Sequence, residues 1–148
     1  MSQTDTLQKY ELFIHATAEQ LWQAITDGTI TPKYFFGSIV SVELQTGGAI
    51  AYHFADGRLS VDGVVEKATA PVELCNTWRI HYNPDCVGET SRVTWKIEPR
   101  GALCKLTVLH ELDQAPATAR SVGNDGWSMV LSGLKTLLET GAPLPSQR

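Results

Sequence analysis

Four histidines, three cysteines and scattered carboxylates are the side chains of this sequence most able to do chemistry, and their spacing limits what that chemistry can be. A metal centre needs three or four converging ligands. Strand alternation puts His110 and Cys104 on one face, yet six residues at ~3.3 Å each hold them about 20 Å apart, so no metal site is expected. Cys75, Cys86 and Cys104 are odd in number and stand 11 and 18 residues apart. That pattern suits neither a disulfide framework nor a zinc module, and reduced thiols are the plain expectation. The sequence holds no G-x-S-x-G elbow, P-loop, G-x-G-x-x-G or H-E-x-x-H segment. Gly123-Asn124-Asp125-Gly126 is a phosphate loop only superficially, because a linker rather than a strand precedes it. No cofactor is implied.

The histidines separate by strand parity. His15 lies between the first strand and the first helix, as a surface or capping residue. His53 and His81 alternate out of phase with their apolar neighbours. Only His110 shares a face with Leu106 and Val108, so it alone is predicted to point inward, either as a neutral imidazole held by a partner or as a ligand contact or general base. Glu111 beside it points to the opposite face, and Asp113 falls in the following loop. General acid and base work needs hydrogen-bond reach, so no catalytic residue is assigned.

Aromatic residues are the stronger signal. Tyr34, Phe35, Phe36, Tyr52, Phe54, Trp78, Tyr82, Trp95 and Trp127 could all meet on one inner face, as ordinary core or as the wall of a small-molecule pocket with a few polar tips. Asn76, Tyr82 and His110 are the candidate tips. The candidate ligand-binding set is therefore Tyr34, Phe35, Tyr52, Phe54, Asn76, Trp78, Tyr82, Trp95, His110 and Trp127, and pattern alone does not separate lining from packing.

The elements that must position these residues follow from periodicity. Residues 8 to 14 have the β-branched and aromatic content of a strand. Thr17-Ala18-Glu19-Gln20 fits a capping box, followed by Ala18, Leu21, Trp22 and Ile25 on one helix face as far as Asp27-Gly28. A second short helix is expected from Thr31 to Phe36, with Pro32 in its first turn. From Ser38 to Leu112 six strands alternate between glycine-rich or Asp-Gly turns: Val40, Val42 and Leu44; Ile50, Tyr52 and Phe54; Leu59, Val61, Gly63 and Val65; Leu74, Trp78, Ile80 and Tyr82; Val93, Trp95 and Ile97; Cys104, Leu106, Val108 and His110. Thr94, Lys96 and Glu98 are assigned to a wet outer face. Trp127, Val130, Leu131, Leu134, Leu137 and Leu138 fall on one stripe of a final helix, with Asn124 or Asp125 as its N-cap and Gly141 as its stop.

With 148 residues, the chain has the size of one domain, and a domain of that size can bury a sizeable core without staples. Its 12 basic and 16 acidic residues give a net charge of −4, and the basic ones are scattered singly. A nucleic-acid groove needs clustered cations, so that partner is excluded. No apolar run approaches membrane-spanning length, and Met1 to Thr6 lacks the basic and apolar regions of a signal peptide, so a cytoplasmic location without membrane insertion is expected. Open sheet edges and a wet outer face predict a monomer or a modest dimer.

Five segments carry a family resemblance: residues 10 to 26 (YELFIHATAEQLWQAIT), 63 to 78 (GVVEKATAPVELCNTW), 91 to 99 (SRVTWKIEP), 106 to 111 (LTVLHE) and 126 to 141 (GWSMVLSGLKTLLETG). In this order they resemble the START-like SRPBCC superfamily, and within it the bacterial branch related to the activator of heat shock protein 90 ATPase homologues. The resemblance implies an α+β helix-grip fold. In it a curved antiparallel sheet of about seven strands wraps round the long C-terminal helix, two short helices follow the first strand, and residues 1–148 form a single domain. It also implies a cavity between sheet and helix, used elsewhere in the superfamily for lipids, sterols, polyketides and other apolar molecules. Binding of a small hydrophobic or amphipathic ligand is thus the expected function. The alternatives are a cyclase- or hydrolase-type enzyme using His110 or Tyr82, or a chaperone-associated interaction module. Eukaryotic chaperone activators of this family carry a further N-terminal domain that is not expected in this length, so a co-chaperone role does not carry over.

Overall fold

Alternation along the chain becomes a meander of strands. The computed structural model describes residues 6–123 and 125–145; Met1 to Asp5, most of the stretch considered for a signal peptide, and Asn124, one of the two candidate N-caps, lie outside the described residues. β1 (Leu7–Ile14) leads into α1 (Ala18–Thr26) and a 3-10 turn at Thr31–Lys33. Then come β2 (Ile39–Val42), β3 (Ala49–His53), β4 (Leu59–Thr69), β5 (Glu73–Ile80), a 3-10 turn at Pro84–Cys86, β6 (Ser91–Arg100) and β7 (Leu103–Glu111). Two helices close the chain, α2 (Pro116–Gly123) and α3 (Gly126–Thr140). The strands form one antiparallel sheet in the order β1-β7-β6-β5-β4-β3-β2. With α3 gripped against its inner face, this is the helix-grip fold that the resemblance implies.

Each inward row is buried as its parity requires: Leu74, Asn76, Trp78 and Ile80 on β5, Val93, Trp95 and Ile97 on β6, and Cys104, Leu106, Val108 and His110 on β7. α3 covers them with Trp127, Val130, Leu131 and Leu134, and α1 with Leu21, Ala24 and Ile25. The capping box of α1 is complete, with Gln20 N donating to Thr17 Oγ1 at 3.1 Å and Thr17 N donating to Gln20 Oε1 at 2.8 Å. Such a cap contributes about 1 kcal/mol. Lys135 Nζ on α3 donates to the Phe13 carbonyl at 2.7 Å, and Glu139 accepts from the His15 amide at 2.8 Å, so the helix is clamped to the end of β1. α3 stops at Gly141, whose φ of 80° a side chain would resist.

Several local expectations are corrected. The helix foreseen from Thr31 to Phe36 is only a three-residue 3-10 turn. Phe36 and Gly37 have φ of 51° and 73°, which no helix can continue, and Thr31 Oγ1 donates to the Ser38 carbonyl and accepts from Val40 N, pinning the chain back toward β2. The linker foreseen before the last helix contains α2, whose leading donors are met from afar: Glu89 accepts from Ala117 N at 3.1 Å and from Thr118 N and Oγ1 at 2.8 Å each. Asp125 stands at the N-cap of α3 but is left-handed and makes no side-chain capping bond. Thr94 on the outer face is buried, not wet: it lies between Cys75 and Leu109 and donates to Cys75 Sγ.

β4 is where strict alternation fails. Tyr52 pairs with Val61 and His53 with Leu59, so Ser60 is an extra residue with no partner on β3. This bulge makes Ser60 and Val61 buried in succession. A second irregularity leaves Glu66 unpaired between Val65 and Lys67. Between the two, Gly63 admits the Thr77 carbonyl to a point only 1.9 Å from where a Cβ would stand. Bulges and a bare backbone bend and twist a strand, and here they curl the β2–β4 end of the sheet.

Candidate functional site

Beneath that curled end lies a cavity of about 330 Å³. Phe35 and Phe36 reach it from the turn before β2, Tyr52 and Phe54 from β3 and the residue that follows it, and Val61 from β4. Trp78 and Tyr82 enter from β5 and the loop after it, while Val122 of α2 and Gly126, Trp127 and Val130 of α3 complete the wall. Phe36 is 60% exposed and Tyr82 46% exposed, so the cavity opens to solvent between them. Tyr82 Oη and Ser121 Oγ share a hydrogen bond of 2.9 Å across this rim, tying the sheet to α2. Among the described residues the lining contains no acidic or basic side chain.

The aromatic wall is continuous. Phe35 stacks on Tyr52 with centroids 4.9 Å apart and meets Trp127 edge-on at 6.0 Å. Trp78 lies 5.3 Å from Tyr52 and 5.7 Å from Trp127. Each such pair adds roughly 0.5–1.5 kcal/mol beyond burial. Ser38, Ser60 and Tyr52 supply the remaining polar groups of the lining, and burial pushes the Tyr52 phenol pKa up, keeping it protonated.

Behind this wall His110 is fully buried. Trp127 Nε1 donates to its Nδ1 at 3.1 Å. Its proton therefore sits on Nε2 and is donated to Ser91 Oγ at 2.7 Å, and Ser91 donates onward to the Trp78 carbonyl at 3.3 Å. Burial lowers the imidazole pKa to about 3. The network thus holds a neutral ring that props Trp127 in place, and it leaves neither nitrogen for a bound molecule.

Of the ten residues proposed from sequence, Phe35, Tyr52, Phe54, Trp78, Tyr82 and Trp127 line this cavity. The other four lie elsewhere. His110 is screened by Trp78 and Trp127, 5.9 Å from each centroid to centroid. Trp95 packs on Trp127, 5.6 Å from it, and is buried outside the lining. Asn76 is buried on β5, its Nδ2 donating to the Thr77 carbonyl at 2.8 Å. Tyr34 turns into a separate surface groove beside α3, with Oη donating to the Ala24 carbonyl at 2.7 Å. The candidate set lacked Phe36, though it was weighed among the aromatics, and sequence reasoning missed Ser38, Ser60, Val61, Val122, Gly126 and Val130 as lining. Val61 and Val130 were legible as inward positions, whereas Ser60 faces inward only through the bulge.

Of the remaining chemistry-bearing residues, Cys86 and Cys104 are buried in the core, and His81 and Glu111 are surface groups. His81 Nε2 sits 2.7 Å from Asp62 Oδ1, and Glu111 pairs on the outer face with Arg92 at 3.0 Å. Among the described residues no group of three or more histidines, cysteines and carboxylates could hold a metal, and no helix is long and apolar enough to cross a membrane.

A family model described as Activator of Hsp90 ATPase homolog 1-like protein matches residues 15–139. No curated protein matches the chain in sequence. Among solved structures, the chain is similar to DynU16, a protein of the dynemicin biosynthetic locus, with 24% identity and a TM-score of 0.77 over 95% of this chain and 49% of that one. This chain therefore spans about half of DynU16. It is also similar to an HSP90 activator from Plasmodium falciparum (21% identity, TM-score 0.71, 93% of this chain and 98% of that one). A third likeness is to the Aha1 dimer from Colwellia psychrerythraea (20% identity, TM-score 0.71, 91% and 97%). What these structures share with this chain is the fold.

Proposed function

Because the chain belongs to the Activator of Hsp90 ATPase homolog 1-like family, within the START-like SRPBCC superfamily, we propose that it binds a small hydrophobic or amphipathic molecule in the cavity between sheet and C-terminal helix. The observation that carries this reading is the aromatic cavity of about 330 Å³ with a solvent-facing mouth and no charged side chain in its described lining. Pockets of this size and polarity suit small organic ligands. Burying a net charge there without a counter-charge would be costly, so an uncharged lipid, polyketide or aromatic metabolite fits better than a free acid. Likeness to a protein of a biosynthetic locus supports the same reading.

Carriage suits the site better than catalysis. His110 has both nitrogens engaged and is too weak a base at neutral pH to take protons, and Tyr82 is hydrogen-bonded to Ser121 at the rim. A protein partner is the second reading, supported by the likeness to an HSP90 activator. In either case residues 1–148 act as one domain, as a monomer or dimer, in a cytoplasm where the unbridged Cys75, Cys86 and Cys104 stay reduced.

Native mass spectrometry of the protein purified from its own host tests this reading, together with thermal-shift screening of fatty acids, flavonoids and polyketide-like aromatics. A retained small molecule is expected, and an uncharged aromatic at a hundredfold excess over its Kd should stabilise the fold by about 2.7 kcal/mol. A co-purifying chaperone with no small molecule and no thermal shift would replace the first reading by the second.

A further inference from the structure

Of the four hydroxyls that line the cavity, that of Tyr82 is bonded to Ser121 at the rim and three are left over. Most other buried hydroxyls are engaged, Thr107 on β7 excepted: Thr31 with the Ser38 carbonyl, Tyr34 with the Ala24 carbonyl, Ser91 with His110, Thr118 with Glu89. Ser38, Tyr52 and Ser60 are only 4%, 2% and 5% exposed, line the cavity, and have no side-chain hydrogen bond to any described residue. Buried polar groups nearly always find a partner. These three open onto the cavity, unlike the sealed Asn76 Oδ1 and Trp78 Nε1, which also lack a partner, so a molecule in the cavity can reach them and supply the missing bond.

Their placement is specific. Ser38 immediately precedes β2, Tyr52 lies on β3 and Ser60 on β4, three adjacent strands. Ser60 arrives there through the bulge, since in an unbroken strand it would oppose Val61 and face outward. Bulges next to binding sites re-aim a side chain in this way. Across the cavity Trp78, Trp127, Val130 and Val122 form an apolar wall. Hydroxyls both donate and accept, and the lining among the described residues offers no cation to pair with a carboxylate and no anion to pair with an amine.

We propose that the Ser60 bulge is a specificity device: with Ser38 and Tyr52 it gives the cavity a neutral hydroxyl pole that selects ligands carrying a carbonyl or hydroxyl oxygen at one end of an apolar ring system. This rests on the reading of the cavity as a ligand site. The bound molecule lies with its oxygen toward β2–β4 and its ring against Trp78 and Trp127.

Equilibrium dialysis of 2-acetylnaphthalene and 2-isopropylnaphthalene, which share a ring and a shape and differ in one carbonyl, tests the device. The quantity read is the ratio of their two Kd values, which cancels much of the ring's own contribution. Ser60→Ala should shift this ratio against the ketone by roughly 3- to 10-fold, the effect of one hydrogen bond, with hydrocarbon affinity kept within about twofold and Ser60→Thr retaining the wild-type ratio. Tyr52→Phe removes an oxygen and no ring, and gives a second measurement of the same shift should Ser60→Ala not fold. An unchanged ratio in both variants, or 2-naphthoate binding as tightly as the ketone, overturns the hydroxyl pole and leaves the cavity reading standing. Failure of both naphthalenes to bind the wild type overturns the cavity reading and the pole together.

Discussion

Trp95 and Trp78 sit on neighbouring strands, follow the same alternation and touch the same indole, Trp127, at 5.6 and 5.7 Å. Trp95 is packed into solid core, while Trp78 borders a void. Their sequence surroundings do not account for this. Above β6 lies α1, with Trp127 of α3 against Trp95, and Leu21, Ile25 and Leu134 belong to the same buried cluster. Above the β5 end that carries Trp78 the cover is a turn bearing Phe35 and the junction of α2 with α3, too short to reach in. Alternation selects the face a side chain is on, and the elements opposite decide whether that face is filled.

The largest expected effects lie in the filled region. Trp95→Ala should cost ~3–5 kcal/mol in urea unfolding, through lost burial and a residual cavity, and Trp127→Ala as much although its ring borders the void, because it also packs on Trp95 and its loss leaves His110 Nδ1 unpaired. Trp78→Ala should cost about 2 kcal/mol, nearer the burial contribution alone, because a void already adjoins the ring. Equal costs for Trp95→Ala and Trp78→Ala would break the distinction between the two regions.

A smaller effect should come from acid, through the imidazole that props Trp127 between the regions. The folded-state pKa of His110 is lowered to about 3 from an unfolded value near 6.5. The unfolded chain therefore binds the proton first. The contribution of this group to stability is complete above pH 6.5, is diminished by about 2 kcal/mol at pH 5, and continues to fall toward pH 3. His110→Phe should flatten stability between pH 6.5 and 5, whatever its own cost, and an unchanged slope would remove His110 as the cause. Smallest of all, Phe36→Ala at the mouth should shift stability by no more than about 0.5 kcal/mol. A loss above about 1 kcal/mol would place Phe36 in packed structure and not at a rim.

Much of this molecule was legible in local pattern. Seven strands, the Thr17 capping box, the Trp127 to Leu134 stripe and the Gly141 stop each depend on residues within a few positions of one another, where period and cap chemistry act directly. α2 was not legible, because eight residues with few apolar positions hold their helix through Glu89, nearly thirty positions earlier. His110 shows the same division: its inward direction followed from parity, but its place behind the wall depends on Trp127, which arrives from another element.

By itself the sequence determined the order of elements, the inner and outer faces of the sheet and the helix that must cover it, since burial of an apolar stripe leaves few other arrangements. Only the tertiary structure decided that the cover is incomplete at one end, that Ser60 faces inward, and that six of the ten candidate residues line the cavity while four do not. A cavity is what remains after every element has taken its place. Its volume is a difference between the reach of the sheet's curvature and the bulk of what lies beneath it, and no short stretch of residues encodes that difference.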